Sequence, residues 1–281
     1  MRCQKMHGAG NSFVVMELPE AERTGEDHAS LARLLCDART GPGADGLILL
    51  APALDADFAM LFYNADGSLG EMCGNGARCA ARYGVEHGLA RDPDRIRIRA
   101  TAGLVLARRI DRERYELRLN DPSVLEAHRA APGLDEIADC AYVELGDPGL
   151  PHAVVEVEAD AFADLDALRA RGRALRRSPA FPRGANVSFA CVTGADSVRA
   201  ITFERGVEDF TLACGTGCGA IALSLGLRGR IDGEETRIEM PGGRLTVRQV
   251  RQNGALRDLL LTGPTAVVAD LDWRSPARAA G

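Results

Sequence analysis

Apolar and polar residues alternate along several stretches of the chain, clearest at Arg95 to Leu106, Arg114 to Leu119, Val198 to Glu204 and Arg244 to Val250. A period of two sends successive side chains to opposite faces, so these stretches predict half-buried β-strands. Two runs rich in alanine and leucine, Ala77 to His87 and Gly219 to Leu227, predict helices, because these residues lose least on entering one. A third helix, polar on one face, is predicted over Asp160 to Arg173. Turn-forming residues at Asn120 to Ser123 and Thr262 to Pro264 mark crossings between larger parts of the chain.

The pattern is written twice. Cys73-Gly74-Asn75-Gly76 returns as Cys214-Gly215-Thr216-Gly217, an offset of 141, and Arg97-Ile98 with Gly103 returns as Arg237-Ile238 with Gly243, an offset of 140. Phe58 to Phe62 falls on Arg199 to Phe203, and Gly43-Ala44-Asp45 on Gly184-Ala185-Asn186, both at 141. Asn11 to Val15 lies over Leu150 to Val154 at 139. An ordered series of nearly constant offsets predicts two pseudo-symmetric α+β domains, 1–121 with 263–281 and 122–262, each mostly strands with one principal helix, and a site between them.

Composition narrows the function. The 281 residues suffice for a sizeable core, and 46% hydrophobic with 26% charged residues is the balance of a globular protein. A net charge of −6 argues against a nucleic-acid partner. No apolar run is long enough for an export signal or a membrane span, so the expectation is a cytoplasmic protein without a membrane partner. Eight cysteines in that setting read as thiols rather than a disulfide framework. Lys5 is the only lysine and lies in the first strand-like segment, a poor place for the Schiff base that pyridoxal phosphate requires.

A cysteine just before a glycine-rich helix start gains twice. Unpaired N–H groups and the helix dipole favour its thiolate, and the same N–H groups, at Gly74, Asn75 and Gly76 and at Gly215, Thr216 and Gly217, can hold a carboxylate. Two such thiols on opposite faces of an α-carbon are what stereochemical inversion needs, one taking the proton and the other returning one. Taken alone, each motif reads as a buried cysteine beside a glycine turn; their repetition favours catalysis. The spacing of Cys214 and Cys218 leaves a zinc site or a thiol redox function as the reading from another class. Cys3, Cys36, Cys79, Cys140, Cys191 and Cys218 read as core or incidental residues.

The chain resembles the diaminopimelate epimerase family. The resemblance rests on Lys5 to Phe13, Gly43-Ala44-Asp45-Gly46, Asn64 to Ser68, Glu71-Met72-Cys73-Gly74-Asn75-Gly76-Ala77-Arg78-Cys79, Pro151-His152, Gly184 to Val187, Glu204 to Val207 and Ala213 to Gly217. It implies two domains of a β-barrel-like sheet around a central helix, catalysis without pyridoxal phosphate or metal, a small amino-acid substrate, and homodimers. By the same resemblance Cys73 and Cys214 are the acid/base pair, with His152 and Glu204 assisting. The α-carboxylate cradle maps to Gly74, Asn75, Gly215 and Thr216, and the remaining substrate contacts to Asn11, Asn64, Asn186, Glu204 and Arg205. The chain departs from the family pattern at Leu150, where asparagine is expected, at Phe210, where a polar residue is expected, and by one extra residue between Glu204 and Cys214. These departures keep open a related racemase for another amino acid such as histidine.

Overall fold

A computed structural model describes residues 1–70, 72–131 and 139–274; Glu71 of the first cysteine motif lies outside them. The chain divides into two compact units, Met1–Leu117 with Pro264–Gly281, and Arg118–Gly263. In the first unit β1 (Arg2–Gly8) and β2 (Asn11–Glu17) form a hairpin, followed by α1 (Leu18–Glu22), α2 (His28–Cys36), β3 (Gly46–Ala51), β4 (Phe58–Asn64), β5 (Leu69–Gly70), α3 (Gly74–Glu86), β6 (Ile96–Ala100) and β7 (Gly103–Arg109). The strand β8 (Arg114–Leu119) carries the chain across the unit boundary. The second unit repeats the order with β9 (Pro122–Arg129), β10 (Cys140–Gly146), β11 (Gly149–Glu156), a 3-10 turn over Ala159–Ala163 and α4 (Leu165–Arg176). There follow β12 (Asn186–Gly194), β13 (Ser197–Phe203), β14 (Phe210–Thr211), α5 (Gly215–Leu227), β15 (Glu235–Met240), β16 (Gly243–Gln252) and β17 (Ala255–Pro264), and β18 (Ala266–Asp272) returns to complete the first unit.

Pairing is the same in both. The strand β1 lies antiparallel between β18 and β2, β2 runs parallel to β3, β3 antiparallel to β4, and β4 parallel to β6. In the second unit β10 lies antiparallel between β9 and β11, β11 runs parallel to β12, β12 antiparallel to β13, and β13 parallel to β15. The sheet of the first unit curls round α3, which touches β1, β2, β3, β4, β6 and β7. That of the second unit curls round α5, which touches β9, β10, β11, β12 and β16.

Burial follows from this wrapping. Phe13, Val14, Val15 and Met16 of β2 are all buried, since Phe13 and Val15 pack on the α3 side while Val14 and Met16 meet α2. The helix α5 is buried from Gly217 to Leu225 on every face, and its sequence is correspondingly apolar all round. Each fully buried large side chain of such a core, Phe13 or Ile48 for instance, stabilises by roughly 1.5–3 kcal/mol. The outer hairpin of β6 and β7 has one wet face and keeps the alternating pattern.

The structure corrects several boundaries. Both central helices start at the glycine after the cysteine, at Gly74 and Gly215 rather than Ala77 and Gly219; low glycine propensity hides the start, and neither N-cap cysteine makes a side-chain capping bond. Arg95 to Leu106 is two strands with a turn at Thr101-Ala102. Asp160 to Arg173 is a 3-10 turn followed by α4, and α1 and α2 add helices outside the first sheet. Thr262 to Pro264 lies inside β17, not in a loop.

The repeat is also re-registered. Phe58 pairs with Ile98 where Val198 pairs with Ile238, so Phe58 corresponds to Val198 and not to Arg199. Phe58 and Val198 are both buried while Arg199 is exposed, as expected when a slip of one residue sends every side chain to the wrong face. Through β3, β4, β12 and β13 the offset is therefore 140, and it becomes 141 at the cysteines because the second unit has one more residue between Glu204 and Cys214 than the first has between Asn64 and Cys73.

Candidate active site

Cys73 and Cys214 occupy the same place, the N-cap of the central helix of their unit. Their backbones are extended, with φ −128° and ψ 117° at Cys73 and φ −112° and ψ 106° at Cys214. Their carbonyls accept the first helical hydrogen bonds, from Ala77 N at 2.8 Å and Cys218 N at 3.0 Å. The N–H groups that follow each cysteine have no carbonyl partner in their own helix and suit an anion, although in the second unit the Gly217 amide already bonds the Cys214 sulfur. The approach of backbone is close: a Cβ on Gly8 would sit 2.7 Å from the Asn75 carbonyl oxygen, and one on Gly217 would sit 3.1 Å from both Cys214 Sγ and Thr202 Oγ1.

Half-buried Cys73 donates to Asn11 Oδ1 at 3.5 Å. The same oxygen accepts from Asn75 Nδ2 at 3.4 Å, while Asn11 Nδ2 donates to Asp45 Oδ2 at 3.1 Å. Asp45 Oδ2 also takes Ser12 N at 2.7 Å and Ser12 Oγ at 2.9 Å, and Asn75 Oδ1 takes Arg78 Nη2 at 2.7 Å. The structure thus brings Asn11, Asn75 and Cys73 together. Asn64 is different: it ends β4, exposed, with Nδ2 on Ser68 Oγ at 2.9 Å, and no described contact joins it to Cys73.

Cys214 is buried, and its thiol stands well above its ordinary pKa, first from desolvation and then from the Glu204 charge, with the Gly217 amide and the Thr216 hydroxyl pulling the other way. Thr216 Oγ1 is 3.7 Å from the sulfur. Glu204 is itself raised by burial, opposed by hydrogen bonds from Thr211 and Cys214; Thr211 Oγ1 donates at 2.6 Å. Asn186 is buried and its Oδ1 accepts from Arg205 N at 2.8 Å, and Arg205 Nη1 rests on the Arg183 carbonyl at 3.0 Å.

His152 lies on β11 directly across from Asn186 on β12. It is 0% exposed with no hydrogen-bond partner on either ring nitrogen among the described residues, and desolvation, helped by Arg205, pulls its pKa to about 3. The ring is therefore neutral. Leu150 occupies on β11 the position that Asn11 has on β2, and offers the thiol no polar group. Phe210 is explained by packing: its ring meets Phe203 at 6.0 Å and Phe189 at 6.4 Å, while Thr211 beside it reaches Glu204.

Sequence reasoning quoted Asp45 and Arg78 inside motifs without a role, and did not find Thr211. An arginine in an alanine-rich helix that proves 0% exposed was the readable signal for Arg78; nothing local marks Thr211. The six remaining cysteines are buried, as a core assignment requires. Among the described residues no three His, Cys, Asp or Glu side chains are placed to share a metal ion, so Cys214 and Cys218 find no third ligand there. Lys5 Nζ is spent on the Pro42 carbonyl at 3.0 Å. No helix among the described residues is long and apolar enough to cross a membrane.

Solved structures first define the class. The fold is similar to that of a phenazine biosynthesis protein of the PhzF family from Bacillus anthracis, with TM-score 0.71 and 14% identity over 96% of this chain and 98% of that one. It is likewise similar to a probable proline racemase from Agrobacterium radiobacter, with TM-score 0.66 and 18% identity over 99% and 94%. This is the mixed α/β, epimerase-like fold of two repeated units. The sequence profile of diaminopimelate epimerase matches residues 3–120 and 146–268. The diaminopimelate epimerase of Carboxydothermus hydrogenoformans is 34% identical over 95% of this chain and 97% of its own length, and that of Xanthomonas axonopodis 36% over 97% and 96%. The chain belongs to the diaminopimelate epimerase family and is an isomerase.

Proposed function

We propose that this protein interconverts L,L- and meso-diaminopimelate by a two-base mechanism, with Cys73 and Cys214 exchanging roles between the two directions. The observation that carries it is the placement of both cysteines at the N-cap of a central helix in two units of one construction. One thiolate takes the α-proton and the other thiol returns a proton to the opposite face. The α-carboxylate, held by the N–H groups at Gly74, Asn75, Gly215 and Thr216, has its developing enolate charge met by preorganised dipoles, which is commonly the largest catalytic contribution. Glu204 accepts the Cys214 proton when that residue serves as base, and His152, held neutral by burial, assists without adding a charge. Arg205, with Asn11, Asn64 and Asn186, supports recognition of the second amino-acid head, whose carboxylate suits a guanidinium. Action in the cytoplasm, in lysine and cell-wall precursor synthesis, and pairing of two copies belong to the same reading.

Proton exchange into L,L-diaminopimelate in D₂O under reducing conditions, followed by NMR, tests it. Deuterium uptake with appearance of the meso isomer is expected. Uptake with histidine and none with diaminopimelate would instead make the apolar Leu150 the mark of a different substrate.

A further inference from the structure

The bonds around Cys73 determine more than proximity. An asparagine amide can point either its oxygen or its nitrogen at a neighbour, and only the surrounding partners decide which. Asp45 Oδ2, a pure acceptor, lies 3.1 Å from one end of the Asn11 amide, so that end is the nitrogen. Arg78, a pure donor and 0% exposed, lies 2.7 Å from one end of the Asn75 amide, so that end is the oxygen and the nitrogen faces Asn11. Both constraints agree, leaving Asn11 Oδ1 as the atom 3.5 Å from the Cys73 sulfur. A carbonyl oxygen there accepts from S–H and repels S⁻.

We propose that Asp45 and Arg78 are positioning residues for Cys73: by fixing the two asparagine amides they present an oxygen to its sulfur and hold it as the thiol, the proton donor, in the enzyme awaiting substrate. The catalytic meaning rests on the two-base reading. Among the described residues, these titratable and charged groups lie around the network. Asp45 comes from the entry to β3 and Arg78 from α3 itself. His7 of β1 has its Nδ1 engaged by Gly10 N at 3.3 Å, and the buried Cys79 thiol is pushed up to about 12 by desolvation.

The test is the pH dependence of Cys73 alkylation by iodoacetamide on the full chain, resolved cysteine by cysteine by mass spectrometry. Asp45→Ala frees Asn11 to turn its N–H₂ to the sulfur, and the Cys73 midpoint is expected to fall by about one pH unit, the scale of one hydrogen bond to a charged group. Asp45→Asn removes the same charge but keeps an oxygen for Asn11 and Ser12, and is expected to retain the native midpoint. Equal falls in both variants would assign the effect to charge alone, and no fall in either would leave Asn11 unoriented by Asp45; both outcomes overturn the proposal. Arg78→Met is expected to lower the midpoint and Arg78→Lys to restore it; an unchanged midpoint in folded Arg78→Met removes Arg78 from the role. If that variant does not fold, the exposed Asp45 pair decides alone. Because alkylation needs no substrate, an enzyme inactive on diaminopimelate could still pass this test, and an active one could fail it.

Discussion

Among the described residues, Cys73 meets the amide of Asn11, which Asn75 and Asp45 hold and Arg78 backs; Cys214 meets the carboxyl of Glu204, itself bonded by Thr211, and the hydroxyl of Thr216. Strand registers set the two neighbourhoods side by side: Asn11 corresponds to Leu150, Phe13 to His152, Asp45 to Ala185 and Asn64 to Glu204. The polar pair of the first unit is an apolar pair in the second, and the apolar ring of the first is an imidazole in the second. The backbone frame, helix cap and glycine approach are common to both. A repeated fold thus supplies the position of a thiol, while the side chains at four corresponding sites differ between the two units. Cys214, the more buried, is pushed up by desolvation and by a carboxylate that can also accept its proton.

The comparison breaks most severely if either cysteine is dispensable. Cys73→Ala and Cys214→Ala are each expected to lower epimerisation at least about 10³-fold. Each should still wash out the α-proton of one stereoisomer slowly and without inversion, the isomer differing between the two variants; NMR in D₂O reads both outcomes. Next in size is Glu204→Gln, which removes the ionisable carboxyl beside Cys214 and, on the two-base reading, is expected to cost about 10²-fold in kcat. Because the Glu204 pKa is raised in the folded protein, the native chain holds a proton there that the unfolded chain gives up, and stability falls as pH rises through the folded value. Glu204→Gln should therefore gain stability at neutral pH while losing activity, which urea unfolding beside kinetics would show.

His152→Phe installs in the second unit what the first already has at Phe13. With its pKa at about 3 in the folded state, His152 stays neutral while the unfolded histidine protonates below about 6.5, so its contribution is present at neutral pH and is lost as pH falls. That contribution weakens by about 2 kcal/mol between pH 7 and pH 5. Urea unfolding at the two pH values should show the corresponding loss in the native chain and its absence in His152→Phe. The smallest effect is expected from Leu150→Asn, which copies Asn11 without its Asp45 anchor: a KM change within about threefold, measured by initial rates on diaminopimelate.

Much of the fold was legible because it is periodic. The alternation of β6, β7 and β16 and the doubled Cys-Gly motifs are local patterns, and they carried the two-unit architecture and the candidate cysteines. Helix starts were misread because glycine hides them, and the Phe58 segment was aligned one residue off because sequence similarity does not register which face a side chain occupies. His152 and Glu204 were legible as residues through family resemblance alone; their neutral, buried or raised states were not, since desolvation depends on what packs above them. Phe210 stood out as an apolar residue where a polar one was expected, and its packing on Phe189 and Phe203 was not legible because the sheet brings those rings to it.

By itself, the sequence determined the repeat, the two thiols and the turns that carry them, because periodicity, glycine and cysteine act on the backbone within a few residues. Tertiary structure alone decided which oxygen meets Cys73 and which carboxyl meets Cys214, because these contacts join residues on different elements of the fold, and an amide's orientation or a carboxyl's charge is fixed only by what surrounds it.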